Sequence, residues 1–222
     1  LYQTSISESL MPYHHKKILI GIYLNQVNRL VKYLPQINPN HIARYIHDIY
    51  IYDRGSHIED FIGQAFELNI LYKNLEHLEI ALRVLAKTYF IKDEMMVSHL
   101  MISPLHVSKT NDAFLKVSKS YKREFINRPS FIVFGINFEF DINPKIWMLK
   151  VMRQLRILRI LLPTVHKKDK VIAIEIRNKI MHKIHKFESE TEIYQSLKKV
   201  DNVKGFREVK YENASLKMGI NP

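Results

Sequence analysis

Apolar positions recur at spacings of three and four along most of the chain, and clean alternation is rare. This periodicity predicts a mostly helical protein. A first helix covers about 15–32 and is closed by the loop residues Pro35 and Pro39. A second covers 41–50. Arg54-Gly55-Ser56 reads as a turn, with Ser56 as N-cap and Glu59 three residues later as its capping-box partner. From there one long helix is expected to about residue 89. It carries Leu68, Leu71, Leu75, Leu78, Leu82 and Leu85, a seam that fits a bundle core better than a coiled coil. The stretch 91–129 is less regular, with a short helix at 95–101, a loop at Pro104 and a basic helix at 111–126. Segment 131–140, rich in aromatic and β-branched residues, reads as extended but not as a sheet. Pro144 is placed in the first turn of a helix that Pro163 ends, with Trp147, Leu149, Leu155, Leu158 and Leu162 on its apolar faces. A penultimate helix spans 170–187, a short one follows Ser189, and the polar tail after Asp201 is peripheral.

The expected fold is therefore all-α: a helical bundle with extra N-terminal helices and at most a minor extended segment. No repeat or low-complexity linker divides it, so residues 1–222 are taken as one domain. Within it, 1–55 form an N-terminal helical extension, 56–200 the core and 201–222 the tail.

Composition adds constraints. With 46% hydrophobic residues in 222 positions, the chain can bury a sizeable core and is not a disordered protein. Cysteine is absent, which excludes disulfides and cysteine-bound zinc and fits a reducing cytoplasm. The formal net charge of +12 calls for a polyanionic partner. Nucleic acid is the first candidate, and an anionic membrane surface the rival. The longest apolar runs, such as 18–24, cannot span a bilayer, and 1–13 is too polar for a signal peptide.

Candidate chemistry lies in the penultimate helix, at Arg177-Asn178-Lys179-Ile180-Met181-His182. The Arg-to-His spacing alone is expected about half a time by chance, but Asn178 directly after Arg177 cuts that to about a few per cent. At ~100° per residue, Ala173, Ile176, Ile180, Ile184 and Phe187 share an apolar face, while Asn178, His182 and His185 form a polar stripe beside Glu175. Arg177 falls at the edge of the apolar face, ~140° from His182. A site composed of two facing copies of this helix would bring them together, which suggests a homodimer. RNA carries its own nucleophile in the 2′-OH, so cleavage needs no metal or cofactor. A His can move the proton, an Arg can hold the phosphate and its developing charge, and an Asn can orient either. The plain alternative is that His182 and His185 are surface residues and Arg177 caps a core.

Segment Ile176-Arg177-Asn178-Lys179-Ile180-Met181-His182-Lys183 resembles the Arg-Asn-x-x-x-His signature of the HEPN superfamily. Two further stretches resemble its abortive-infection branch, the AbiD/AbiF-like proteins. One is Leu75-Glu76-His77-Leu78-Glu79-Ile80-Ala81-Leu82-Arg83, and the other is Pro144-Lys145-Ile146-Trp147-Met148-Leu149. The resemblance covers roughly 61–187. It implies a HEPN-type helical bundle and a metal-independent endoribonuclease of bacterial defence against phage, in abortive-infection or toxin–antitoxin systems. The type VI CRISPR effector nucleases share the signature. Carried over by position, Arg177 and His182 are catalytic and Asn178 supports them. The family often has a second His directly after the motif His; here Lys183 stands there, and His185 lies one turn on. Glu79 and Arg83 match family positions, yet their spacing also makes an ordinary intrahelical pair.

Phosphate contacts are expected from Lys116, Lys119, Lys122, Arg123 and Arg128, from Arg153, Arg156 and Arg159, and from Lys183 and Lys186 beside the motif. Tyr121 and Phe125 could stack bases, although core packing is the simpler role. Two other functions fit the charge: a non-catalytic protein holding a structured noncoding RNA, and a helical DNA-binding regulator, for which no recognition-helix motif is evident.

Overall fold

The computed structural model describes residues 16–103, 130–133, 136–139, 143–155, 167–186 and 189–201. Eight helices and one hairpin lie among them: α1 (Lys16–Tyr33), α2 (Pro39–Asp53), α3 (Ile58–Leu71), α4 (Leu75–Lys87), α5 (Glu94–Ile102), β1 (Ser130–Val133), β2 (Ile136–Glu139), α6 (Ile146–Met152), α7 (Lys167–His185) and α8 (Glu190–Asp201). The fold is all-α. The helices separate into two units, α1–α4 with α7 and α8, and α5–α6 with the hairpin.

Local chemistry sets the boundaries of the first unit. Asn38 caps α2 by accepting from Asn40 N at 2.9 Å, and Pro39 supplies the fixed φ of a first helical residue. The helix ends where Arg54 takes the left-handed conformation at φ 63 and Gly55 follows at φ 91. A Cβ on Gly55 would also lie 3.0 Å from the Tyr50 ring.

The capping box expected at Ser56 does not form. His57 is the N-cap residue of α3, Ser56 Oγ bonds Asp53 O and His57 Nδ1, and Glu59 turns to Arg29 of α1 at 2.7 Å. A real capping box closes instead at α8, where Ser189 and Glu192 bond each other reciprocally.

The single long helix expected to residue 89 is two helices. Tyr72 is extended at ψ 119, and the Asn74 side chain accepts from Glu76 N at 2.9 Å and His77 N at 3.3 Å, starting a new helix. The leucine periodicity survives the break, because both helices turn apolar faces to the same interior. Leu68, Leu78, Leu82 and Leu85 are buried, while Leu75, at the start of α4, is exposed. The core reading of the seam holds for those four. Around them pack Tyr23, Leu30 and Leu34 of α1 and its end, Ile42, Ile46 and Ile49 of α2, and Phe61 and Ile62 of α3. Tyr23 also ties α1 to α2 by donating to Ala43 O at 3.0 Å.

In the second unit, α5 is capped by Asp93, which accepts from Met96 N at 2.8 Å, and it packs against α6. Ser98 is fully buried there, its Oγ 3.7 Å from Met152 Sδ. Segment 131–140 does pair after all: β1 and β2 form an antiparallel hairpin with Phe131 opposite Phe138. Pro144 lies two residues before α6 rather than in its first turn, and α6 ends at Met152, well short of Pro163. Only Leu149 of its apolar residues is buried; Trp147 is 62% exposed. The expected basic helix at 111–126, Leu158, Leu162, Pro163, Phe187 and the tail after Asp201 lie outside the described residues.

Candidate functional site

The motif helix α7 is longer at its start than the sequence suggested. Its buried residues are Ile172, Ile176, Ile180, Met181 and Ile184. They turn toward α3, α4 and α8, against which α7 packs. Asn178, His182 and His185 are all exposed, so the polar stripe read from the sequence is present, with Glu175 half-buried beside it. Among the described residues, the side chains of Asn178 and His182 have no hydrogen-bond or ionic partner.

Arg177 departs from expectation. It is not at the edge of the apolar face but within the packed arc, angularly between the buried Ile184 and Met181. Its guanidinium carbon sits 4.4 Å from the centre of the Tyr89 ring, a cation–π contact. Tyr89 is itself buried, edge-on to Phe61, and donates to Gln64 Oε1 at 2.7 Å. Burial pushes the Tyr89 hydroxyl up to about 12; Arg177 opposes that rise, while Asp60 and Glu67 add to it. The phenol thus stays protonated and keeps its hydrogen bond. On the outer side of this cluster, His185 Nε2 lies 3.0 Å from Glu67 Oε2. Gln64 and Glu67 are three apart on α3, so one face of that helix meets both Arg177, through Tyr89, and His185.

Nothing in the sequence singles out Gln64, Glu67 and Tyr89. Each is unremarkable alone, and only the packing of α3 and of the residues just past α4 on α7 brings them to the motif. Nor does the sequence single out Lys179 and Lys199 as phosphate contacts. A shallow cleft between α7 and α8 has an apolar floor of Ile180, Ile193, Leu197 and Val200, and Lys179, Lys183 and Lys199 line it. Lys186 is exposed one residue past the end of α7. Of the other expected phosphate contacts, Arg153 is half-buried in the second unit, while Lys116, Lys119, Lys122, Arg123, Arg128, Arg156 and Arg159 lie outside the described residues.

The far end of α8 is held by a separate polar cluster. Glu190 accepts from Lys73 N and Asn74 N at 3.4 and 3.2 Å and pairs with His77 Nδ1 at 2.8 Å. His77 stacks on Tyr194 with centroids 3.9 Å apart. Burial works to raise the Glu190 carboxyl, but the bonds from His77, Asn74 and Lys73 outweigh it and hold it below its ordinary value. This staple fixes α8, and with it one wall of the lysine-lined cleft. Glu79, one of the two family-like positions on α4, faces His41 of α2 at 3.8 Å; Arg83 is exposed.

Among the described residues no three His, Asp or Glu side chains converge as metal ligands would, and no helix is long and apolar enough to cross a membrane. Compared with protein-family models, with curated proteins and with solved structures, the chain gives no match.

Proposed function

We propose that this protein is a metal-independent HEPN-type endoribonuclease of a bacterial anti-phage system, abortive infection or toxin–antitoxin, acting in the cytoplasm. The observation that carries the reading is the Arg177-Asn178-x-x-x-His182 motif, which presents Asn178 and His182 on one exposed stripe of α7 beside a run of lysines. His182 takes the proton of the attacking 2′-OH, Asn178 orients the phosphate, and Arg177 neutralises charge at phosphorus. Lys179, Lys183, Lys186 and Lys199 would carry the flanking backbone phosphates without reading sequence. The net charge of +12 favours such a polyanion.

Arg177 is engaged with Tyr89 while His182 points elsewhere, so one copy of α7 does not unite them. A homodimer in which each copy supplies one of the pair resolves this. The same geometry favours a second reading: a non-catalytic protein that holds a structured noncoding RNA.

The test is cleavage of RNA in EDTA by wild type, Arg177→Ala and His182→Ala, with light scattering for the oligomeric state. Loss of cutting in both variants supports the nuclease. Unchanged cutting in both refutes it, and intact RNA co-purifying with an inert wild type supports the second reading.

A further inference from the structure

Cleavage of RNA by its own 2′-OH moves two protons. One leaves the attacking hydroxyl, and another must reach the departing 5′-oxygen. The motif supplies a single imidazole, His182. A second stands three residues on in the same helix. At ~100° per residue His185 lies ~60° from His182 and ~80° from Arg177, angularly between the two motif residues that the helix otherwise separates.

His185 is also the imidazole of the pair with a carboxylate partner. Its Nε2 lies 3.0 Å from Glu67 Oε2, with the two side chains 66% and 43% exposed. A carboxylate only accepts, so Nε2 carries the hydrogen and Nδ1 is the atom through which the ring exchanges a proton with a substrate. Glu67 gives the charged form of this ring a counter-ion. His182 has none among the described residues. The two rings are therefore fitted for different tasks.

We propose that His185 is a catalytic general acid, with Glu67 as its positioning residue; this rests on the endoribonuclease reading. The 2′-oxygen forms a bond to phosphorus as its proton passes to His182. The bond from phosphorus to the 5′-oxygen breaks as His185 delivers a proton to that oxygen. The products are a 2′,3′-cyclic phosphate and a 5′-hydroxyl, with no other reactant.

The experiment compares two substrates in EDTA: an ordinary ribodinucleotide, and the 3′-(4-nitrophenyl) phosphate of the same nucleoside, whose leaving group departs without a proton. His185→Ala should lose about 100-fold or more on the dinucleotide and no more than a few-fold on the nitrophenyl ester. Glu67→Gln should show the same selectivity at about 10-fold. His182→Ala should lose activity on both, because both need the base. Exposed His–carboxylate pairs contribute little to stability, and unchanged thermal melting of the variants verifies that the rates report chemistry. Equal losses on the two substrates for His185→Ala, or no loss on either, overturn the proposal. If His185→Ala behaves so while His182→Ala is inactive, the nuclease reading stands and the acid assignment falls. A wild type that cuts neither substrate overturns both.

Discussion

The guanidinium carbon of Arg177 lies 4.4 Å above the ring of Tyr89, whose hydroxyl is tied to Gln64. The contact gives Arg177 a packing role whatever chemistry it serves, and stability and activity can separate the two. Tyr89→Phe keeps the ring and loses one hydrogen bond, and should cost about 1 kcal/mol in urea unfolding. Tyr89→Ala empties a buried site and should cost about 3–5 kcal/mol. Arg177→Ala should cost only about 1 kcal/mol, the scale of a cation–π contact. If Arg177 is catalytic, that small loss accompanies abolished cleavage; a cost of 4 kcal/mol or so would make its role structural.

Stability should fall with acid in two stages. The carboxyls of Glu190 and Asp48 are both held below their ordinary values of 4.5 and 3.8. At Asp48 burial opposes ionisation, but His47 and Arg44 more than offset it. A depressed folded value stabilises above the unfolded one and is lost as pH falls through the folded one. The urea midpoint should thus decline below about pH 4.5, and more steeply below pH 3.8. Glu190→Gln should flatten the upper part of that decline at a cost of at most about 1 kcal/mol at neutral pH. Asp48→Ala, which takes this carboxylate from buried His47 and half-buried Arg44, should cost about 1–3 kcal/mol.

Asn74 separates α3 from α4. Asn74→Ala removes the acceptor for Glu76 N and His77 N and should destabilise by about 1 kcal/mol, with Asn74→Asp retaining most of the wild-type value. Chemical denaturation of the three proteins checks this; an unchanged midpoint in Asn74→Ala would show that packing alone sets the break.

RNA binding should be strongly salt-dependent. Lys186→Ala and Lys183→Ala should each weaken it and reduce the slope of log affinity against log salt by about one. Lys32→Ala, on α1, serves as an exposed control and should leave the slope unchanged. Equal effects of all three would mean that the protein binds through its overall charge and not through the α7 surface.

The periodicity of leucines and isoleucines determined the all-α class and, within a few residues, the ends of α1, α5 and α7. Burial of an apolar stripe is a local, repeating demand, and any sequence that meets it displays it. It also determined that Asn178, His182 and His185 share a stripe, since helical angles follow from residue number alone. The break at Tyr72–Asn74 is hidden in the sequence because Leu71 and Leu75 keep the spacing of an unbroken helix. A cap chosen by one side chain overruled the pattern. Ser56 shows the converse: its capping motif is local, but Glu59 has a better partner in Arg29, thirty residues away. What only the tertiary structure decided is the company the motif keeps. Gln64 behind Tyr89 and Glu67 against His185 both come from α3, while Tyr89 under Arg177 lies just past α4, and their meeting with the motif depends on how α3, α4 and α7 pack. Arg177 itself turned inward because a long cationic side chain can lay its stem on an apolar face and rest its head on a buried ring.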